Sequence, residues 1–425
     1  MLETVEIIID MLDGGAPVDV LYFDFCKAFD TVPHWRLLTK LGNYGITGVT
    51  LEIIRDFLNN RSMNVVVGGE KSESHRVTSG VPQGSVLGPL LFVLFINDLP
   101  DDLKSKIMLF ADDLKLIANV NNYDSVKEDI SQLEQWQDTW LLRFNTDKCK
   151  VLHLSKNGNP GLAYYVGGTA LSSVESECDL GLYTDAQFEW TENMKRAISK
   201  ANRMTAWVSR NIIAKTKDVM LLVYKTLIRP HIEYCVQVWS PSHHHYGNWA
   251  IILQLEQVQR KFTRLIDDVG MLPYGERLAR LNLTTLAERR IRGDLIETYK
   301  IISGSVNYGQ TMFKMSKSGY NLVSKAGVQS MKRRFFSERV IGFWNKLPVE
   351  VKLSKSVESF KVNLQNYKDK SSSIKGNFWD VSKEVINRID TPSSLAGRSK
   401  FNQFVIDNPW YARKRGINTF NAQVA

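Results

Sequence analysis

Between Lys106 and Val120 two adjacent aspartates, Asp112 and Asp113, interrupt an otherwise apolar stretch. Ile107 to Phe110 precede them; Leu114 and then Leu116 to Ala118 follow. Each flank has the length and residue types of a short strand, and Ala111-Asp112-Asp113 can make the turn between them. The expectation is a hairpin with largely buried arms and two carboxylates at its tip. Unpaired carboxylates in such a place are costly, and hard oxygen donors suit a divalent cation such as Mg²⁺. Taken alone, the pair favours a solvated acidic turn over a cation site, and the rest of the chain decides between them.

The charge distribution sharpens this reading. Residues 1–150 carry 14 Lys and Arg against 22 Asp and Glu, whereas the other 275 carry 40 against 23. An acidic module followed by a basic one suits carboxylate chemistry first and a polyanion-binding surface second. The four cysteines, Cys26, Cys149, Cys178 and Cys235, are far apart and show no C-x-x-C spacing. That argues against a zinc ribbon or a disulfide scaffold and suits a reducing compartment. The opening MLETVEIIID carries acid where a signal peptide carries base. The run Leu90 to Ile96 is too short to span a bilayer. An intracellular protein of nucleus or cytoplasm, neither secreted nor membrane-bound, is expected.

Along the chain, helices are expected over Met1–Met11, from Thr31-Val32-Pro33 to Gly42, and over Gly48–Leu58. Val18–Phe23 reads as a buried strand ending at Asp24. A hairpin with arms Ser62–Val67 and Ser74–Thr78 turns at Gly68-Gly69. Ser79–Pro89 is a Gly/Pro-rich loop opening an apolar helix that runs to Asn97. From Asp124 to Phe144, Ile130, Leu133, Trp136 or Gln137, Trp140 and Phe144 fit a helical stripe. Strands follow near Val151–Leu154 and Tyr164–Val166. This mixture reads as α+β. From Trp190 to Ile302 the chain reads as helical, 303–330 as loops, and Phe335–Leu347 as a helix. Residues 370–425 read as mostly flexible. His243-His244-His245 reads as a polar loop. Met331–Arg334 with Phe335-Phe336 leaves two options, a charged patch with stacking rings or a core helix with a basic flank.

A second acidic site, YFDFCKAFD from Tyr22 to Asp30, places Asp24 at the end of an apolar strand. A strand-end aspartate and a hairpin-tip pair are what two-metal phosphoryl transfer requires, because carboxylates must bridge the cations. The order YFDFCKAFDTV, SGVPQGSVLGPLLFVLFINDLP, FADD and FNTDKCKV resembles the reverse transcriptases of non-LTR retrotransposons, the jockey and chicken-repeat types above all. Later segments such as LIRPHIEYCVQVWSP and FFSERVIGFWNKLPVEV extend the resemblance over about residues 5–368.

The resemblance implies a right-hand polymerase palm over 1–183 with most of the fingers missing. It further implies a helical thumb-like region over 184–302, a C-terminal region of the element over 303–368, and an unmatched tail over 369–425. It implies two Mg²⁺ ions, replaceable by Mn²⁺, held by Asp24, Asp112, Asp113 and the Phe25 carbonyl, with Lys148 protonating pyrophosphate. Phe29, Gln83 and Gly84 would meet the incoming nucleotide; Gly80 and Pro82, with Asp179, Leu180 and Gly181, would meet template and primer. RNA template, DNA primer and dNTPs are the implied partners. Phe110 stands where tyrosine is commoner in the family. Only 23 residues precede Asp24, and the first basic residue is Lys27. The cationic cradle for the triphosphate is therefore expected to be incomplete and synthesis by this chain weak. The rivals are a non-catalytic nucleic-acid-binding fragment of the same fold and a structural or interaction protein.

Overall fold

The computed structural model describes residues 1–390 except 100, 102, 156–157, 242–248, 326, 328–329 and 372–379. The histidine run at 243–245 and the stretch 391–425 lie outside the described residues. The chain divides into two compact units, Thr4–Trp190 and a second one holding Met1–Glu3 with the residues from Thr191 onward.

In the first unit, α1 (Leu2–Asp13) leads into β1 (Val18–Phe23), which is buried along nearly its whole length. A short α2 (Ala28–Thr31) is followed by α3 (His34–Asn43), entered through Pro33, and by α4 (Gly48–Leu58). The next hairpin is exposed and paired in two steps. β2 (Ser62–Met63) pairs with β5 (His75–Arg76), and β3 (Val66–Val67) with β4 (Glu70–Lys71) around Gly68-Gly69. The apolar α5 (Leu87–Ile96) precedes β6 (Lys106–Phe110) and β7 (Asp113–Asn119). Helix α6 (Tyr123–Trp140) stops earlier than its apolar stripe suggested. Leu141 turns left-handed at φ 58°, and Phe144 leaves the helix to pair with Phe25. β8 (Lys150–Leu154), β9 (Tyr165–Val166), β10 (Thr169–Ala170) and β11 (Ser172–Val174) follow. The hairpin of β12 (Ser176–Asp179) and β13 (Leu182–Asp185) comes last.

The central sheet has the order β11-β8-β1-β7-β6, with β1 antiparallel to both neighbours. Strand alternation divides its residues between two faces. Leu21 and Phe23, Leu114 and Leu116, and Val151 join Leu37, Phe92, Phe95 and Ile130 from the helices in one core. Each such side chain contributes roughly 1.5–3 kcal/mol by leaving water. Tyr22, Lys115 and Lys150, which form one row across β1, β7 and β8, point to the opposite face. At the far end of the sheet the buried Asp19 accepts hydrogen bonds from Tyr164 (2.7 Å) and Asn159 (2.8 Å) and lies 2.8 Å from His153.

The second unit is mainly helical. It comprises α7 (Thr191–Asn211), α8 (Lys217–Val223) continuing through a π-helical turn to Ile228, α9 (Arg229–Glu233), α10 (Val236–Trp239), α11 (Trp249–Thr263), α12 (Tyr274–Leu281) and α13 (Leu286–Ile302). A small β14–β15 pair (Lys314–Met315 and Leu322–Val323) follows. Where one helix was expected over Phe335–Leu347, two short ones form, α14 (Phe336–Arg339) and α15 (Ile341–Asn345). Phe335 and Phe336 are both 3% exposed, so these rings belong to the core rather than to a stacking surface. The chain continues through α16 (Val349–Lys352), α17 (Val357–Ser371) and α18 (Asp380–Asp390). Helix α18 departs from the flexible tail expected after residue 370. Its Val385 and Ile389 pack with Tyr274 and Leu278. Its Asp390 accepts from the backbone amides of Tyr274 (2.9 Å) and Gly275 (3.0 Å) at the start of α12. Val381, Val385, Ile386 and Ile389 recur at helical spacing and all pack in this cluster, a short stripe that the polar residues around it obscured in the sequence. Among the described residues no helix is long and apolar enough to cross a membrane.

Candidate active site

The site is set by register. Phe23 on β1 stands opposite Leu114 on β7. Asp24 therefore follows the end of one strand at the level where Asp113 begins the other. The β6–β7 turn consists of Ala111, left-handed at φ 51°, and Asp112; Asp113 itself is paired with Phe110 as the first residue of β7. Partial desolvation, then Asp112 and Asp179, push the Asp113 carboxyl above its ordinary range; Lys115 opposes this and Asp24 adds to it. Asp24 and Asp112–Asp113, 88 positions apart in sequence numbering, thus share one negative field.

The backbone around Asp24 is held by a segment after α6. The Asn145 amide donates to the Asp24 carbonyl at 2.7 Å, and the Cys26 amide donates to Arg143 at 2.8 Å. This bridge leaves the Phe25 carbonyl outside its own hydrogen bonds, while the Phe25 ring stacks on Phe144 with centroids 4.7 Å apart. Lys148, on the turn beginning at Asn145, brings its ammonium within 3.3 Å of Asp24 Oδ2. That oxygen is buried and accepts no hydrogen bond within the described residues. A buried carboxylate oxygen amid like charge is a position that a cation stabilises, and the Lys148 ammonium stands there at 3.3 Å. The donor chemistry, oxygen only, suits a hard divalent ion. The ligand set is nevertheless open, since among the described residues no three His, Cys, Asp or Glu side chains converge into a ready metal site.

The Ser79–Pro89 loop lies against the segment following Asp24. Gly80 donates its amide to Val32 (2.8 Å), Val81 to Phe29 (2.8 Å), and Ser79 Oγ donates to the Asp30 carbonyl (2.9 Å). Gly80 has φ +88°, and a Cβ there would sit 2.7 Å from the Asp30 carbonyl oxygen, so only glycine fits. His34 Nε2 lies 2.9 Å from the Gly80 carbonyl. Gln83 donates from Nε2 to Asp30 Oδ1 at 2.9 Å on the exposed side. Gly84 is left-handed with open space around it. The Pro82 carbonyl accepts from Ser85 Oγ at 2.7 Å. Phe29 is half-buried and stacks on Phe92, centroids 4.4 Å apart, so packing is one established part of its role.

Asp179, expected at a template or primer surface, is 7% exposed and ion-paired with Lys115. Leu180 and Gly181 form the left-handed tip of the β12–β13 hairpin, at φ 48° and 80°. Sequence reasoning passed over Lys115, Tyr22, Asn145 and Asp30. Lys115 carried a usable signal, because a lysine inside the apolar run Leu114–Ala118 needs a buried carboxylate partner. Burial of the Tyr22 phenol, then Asp179 and Glu177, hold its pKa well above the ordinary tyrosine value.

This arrangement of a strand-end aspartate beside a hairpin aspartate pair fits a nucleotidyl-transfer domain. The reverse transcriptase (RNA-dependent DNA polymerase) family model matches residues 17–196, and this segment is a reverse transcriptase domain. Its curated relatives come from non-LTR retrotransposons. The RNA-directed DNA polymerase from mobile element jockey of Drosophila melanogaster is 26% identical over 256 residues, covering 56% of this chain and 28% of its own length. The probable RNA-directed DNA polymerase from transposon BS of the same fly is 26% identical over 303 residues, covering 66% and 32%. The chain thus spans about three-tenths of the length of these relatives. A solved apo telomerase from Candida tropicalis matches with 11% identity and a TM-score of 0.36, over 90% of this chain and 55% of that one. A likeness that low carries no argument about the site.

Proposed function

We propose that this chain adds deoxynucleotides to a DNA 3′ end on an RNA template. The observation that carries the reading is the Phe23–Leu114 register, which sets Asp24 beside Asp113. Asp24, Asp112, Asp113 and the Phe25 carbonyl would hold two Mg²⁺, or Mn²⁺ in their place. Such ions, when bound, lower the pKa of the attacking 3′-hydroxyl and neutralise the triphosphate. The chain's own residues do the rest. Lys148 stands beside Asp24 and can hand a proton to the leaving pyrophosphate. Gln83 and Gly84 offer a side-chain amide and an open backbone to the nucleotide and template. Phe29 presents a ring that blocks a ribose 2′-hydroxyl.

The second unit supplies a nucleic-acid surface. On α7, Arg196, Lys200, Arg203, Trp207 and Arg210 recur at spacings of four and three and are all exposed, while Met194, Ala201 and Val208 face inward. That makes a basic stripe roughly 20 Å long with one stacking ring. It suits a phosphate backbone.

Primer extension on an RNA template tests the reading. Mg²⁺-dependent synthesis that Asp112→Asn abolishes supports it. Binding of primer–template without any extension favours the second reading, a nucleic-acid-binding domain without catalysis. The open ligand set and the Lys148–Asp24 contact speak for that alternative.

A further inference from the structure

The row Lys150–Tyr22–Lys115 crosses three strands of the central sheet, with Tyr22 the register partner of both lysines. Two residues along β7 from Lys115, and therefore on the same face, is Asp113. The β12–β13 hairpin meets this row with Glu177 and Asp179, which also alternate onto one face of their strand. Lys115 pairs with Asp179, and Lys150 Nζ lies 2.9 Å from Glu177 Oε2. Lys115 and Asp179 are nearly inaccessible, at 9% and 7% side-chain exposure. The sheet ladder does not extend to this hairpin, which forms its own two-stranded sheet. Backbone continuity with β11, a strand of the sheet, anchors the base of the hairpin, and the Ala186 amide donates to the Glu175 carbonyl there at 3.1 Å; the two ion pairs tie the rest of β12 to the row beside Asp113.

We infer that the Lys115–Asp179 and Lys150–Glu177 pairs form a two-point clamp that positions the β12–β13 hairpin beneath the Asp24–Asp113 carboxylates. Lys115 and Asp179 are positioning residues on this account. The link to a primer end rests on the proposed function: with the hairpin held in place, its Leu180-Gly181 tip would keep a recessed 3′ end within reach of Asp113. A buried pair is suited to the task. Removing one partner leaves an uncompensated charge, so hairpin displacement rather than loss of the whole fold becomes the cheapest relief. Two points spaced across three strands also prevent rotation, which a single pair would allow.

The test uses the full chain, with Asp179→Asn, Lys115→Met, Glu177→Gln and the exchange Lys115→Asp/Asp179→Lys. Hydrogen exchange is followed at the amides of 176–185 and compared with those of β1 and β7. The clamp predicts at least about tenfold faster exchange in the hairpin for Asp179→Asn, with β1 and β7 still protected, and partial recovery in the exchanged pair. Unchanged hairpin exchange in Asp179→Asn and Lys115→Met overturns it. So does equal loss of protection in β1 and β7, which marks a merely structural pair. In parallel, binding of a fluorescent RNA–DNA duplex is measured with a recessed and with a blunt DNA end. Asp179→Asn should weaken the recessed-end complex several-fold more than the blunt one, and in extension assays raise KM for primer–template more than for dNTP. Equal weakening of both ends overturns the link to the primer. If the unaltered chain binds neither duplex, the proposed function fails, and the exchange data still decide the clamp.

Discussion

Asp24 and Asp113 sit side by side because the antiparallel register of β1 and β7 ends at the pair Phe23–Leu114. Partial desolvation, then the like charges of Asp112 and Asp179, make Asp113 give up protons less readily, and Asp24 adds to the effect. A folded-state pKa above the unfolded one means that this group favours folding less as pH rises through the carboxylate range. Mg²⁺ should reverse that penalty. Its addition should raise the melting temperature of the chain, by an amount growing with concentration over Kd. Asp113→Asn should be the more stable chain without Mg²⁺ and should respond less to it. Calorimetry of both proteins with and without the ion checks this, and equal responses would count against a shared cation site.

Gly80→Ala should destabilise the first unit by at least about 2 kcal/mol, since it combines a left-handed backbone with a clash against the Asp30 carbonyl. Gly84→Ala has the same backbone strain but open space, so its cost should be smaller. Urea denaturation of the two variants separates the contributions of clash and conformation.

Phe29→Ala should cost about 3 kcal/mol of stability through loss of the Phe92 stack. It should also narrow the preference for dCTP over rCTP in a chain that polymerises. Loss of stability with unchanged sugar discrimination would assign Phe29 to packing alone.

Replacing Arg203 and Arg210 by glutamine should weaken nucleic-acid binding and flatten its dependence on salt by roughly one phosphate contact per residue. Anisotropy titrations between about 50 and 200 mM salt supply the slope. A slope equal to that of the unaltered chain would place the contacts elsewhere.

Lys40 lies buried among Phe95, Trp136 and Trp140, its ammonium 3.8 Å from the Trp140 ring centroid and bonded to Asp98. Desolvation lowers its pKa from 10.5 to about 8 despite that partner. Between those values the unfolded chain binds the extra proton, so this group adds stability as pH rises, about 2 kcal/mol from pH 8 to 10. Burial raises the Cys149 thiol to about 11 and works the other way. The difference between the unaltered chain and Lys40→Met, followed over that range, isolates the lysine. A difference that stays flat with pH would show that Lys40 is not desolvated as described.

The amino-acid sequence by itself determined the elements that carry the site. Apolar runs flanking Asp112-Asp113 and preceding Asp24 specified strands, but of the two hairpin arms expected to be buried only β7 is; β6 lies at the sheet edge, half-exposed, with Phe110 open to solvent. The glycine at position 80 and the proline at 33 marked a turn and a helix entry for local reasons. Motif order supplied the resemblance that brought Phe25, Phe29, Gln83 and Lys148 into view. Only the tertiary structure decided the rest. Pairing across 91 positions, from Phe23 to Leu114, depends on register, and register is fixed by which faces the helices bury. The partners of Lys115 and Lys150 lie 64 and 27 residues away, on a hairpin whose own sequence is polar. Asp179 therefore looked like a surface residue and proved to be a buried counter-charge. Helix α18 likewise looked like tail, because the short stripe Val381, Val385, Ile386 and Ile389 acquires meaning only against the cluster of Ile252, Tyr274, Leu278 and Ala287 that receives it.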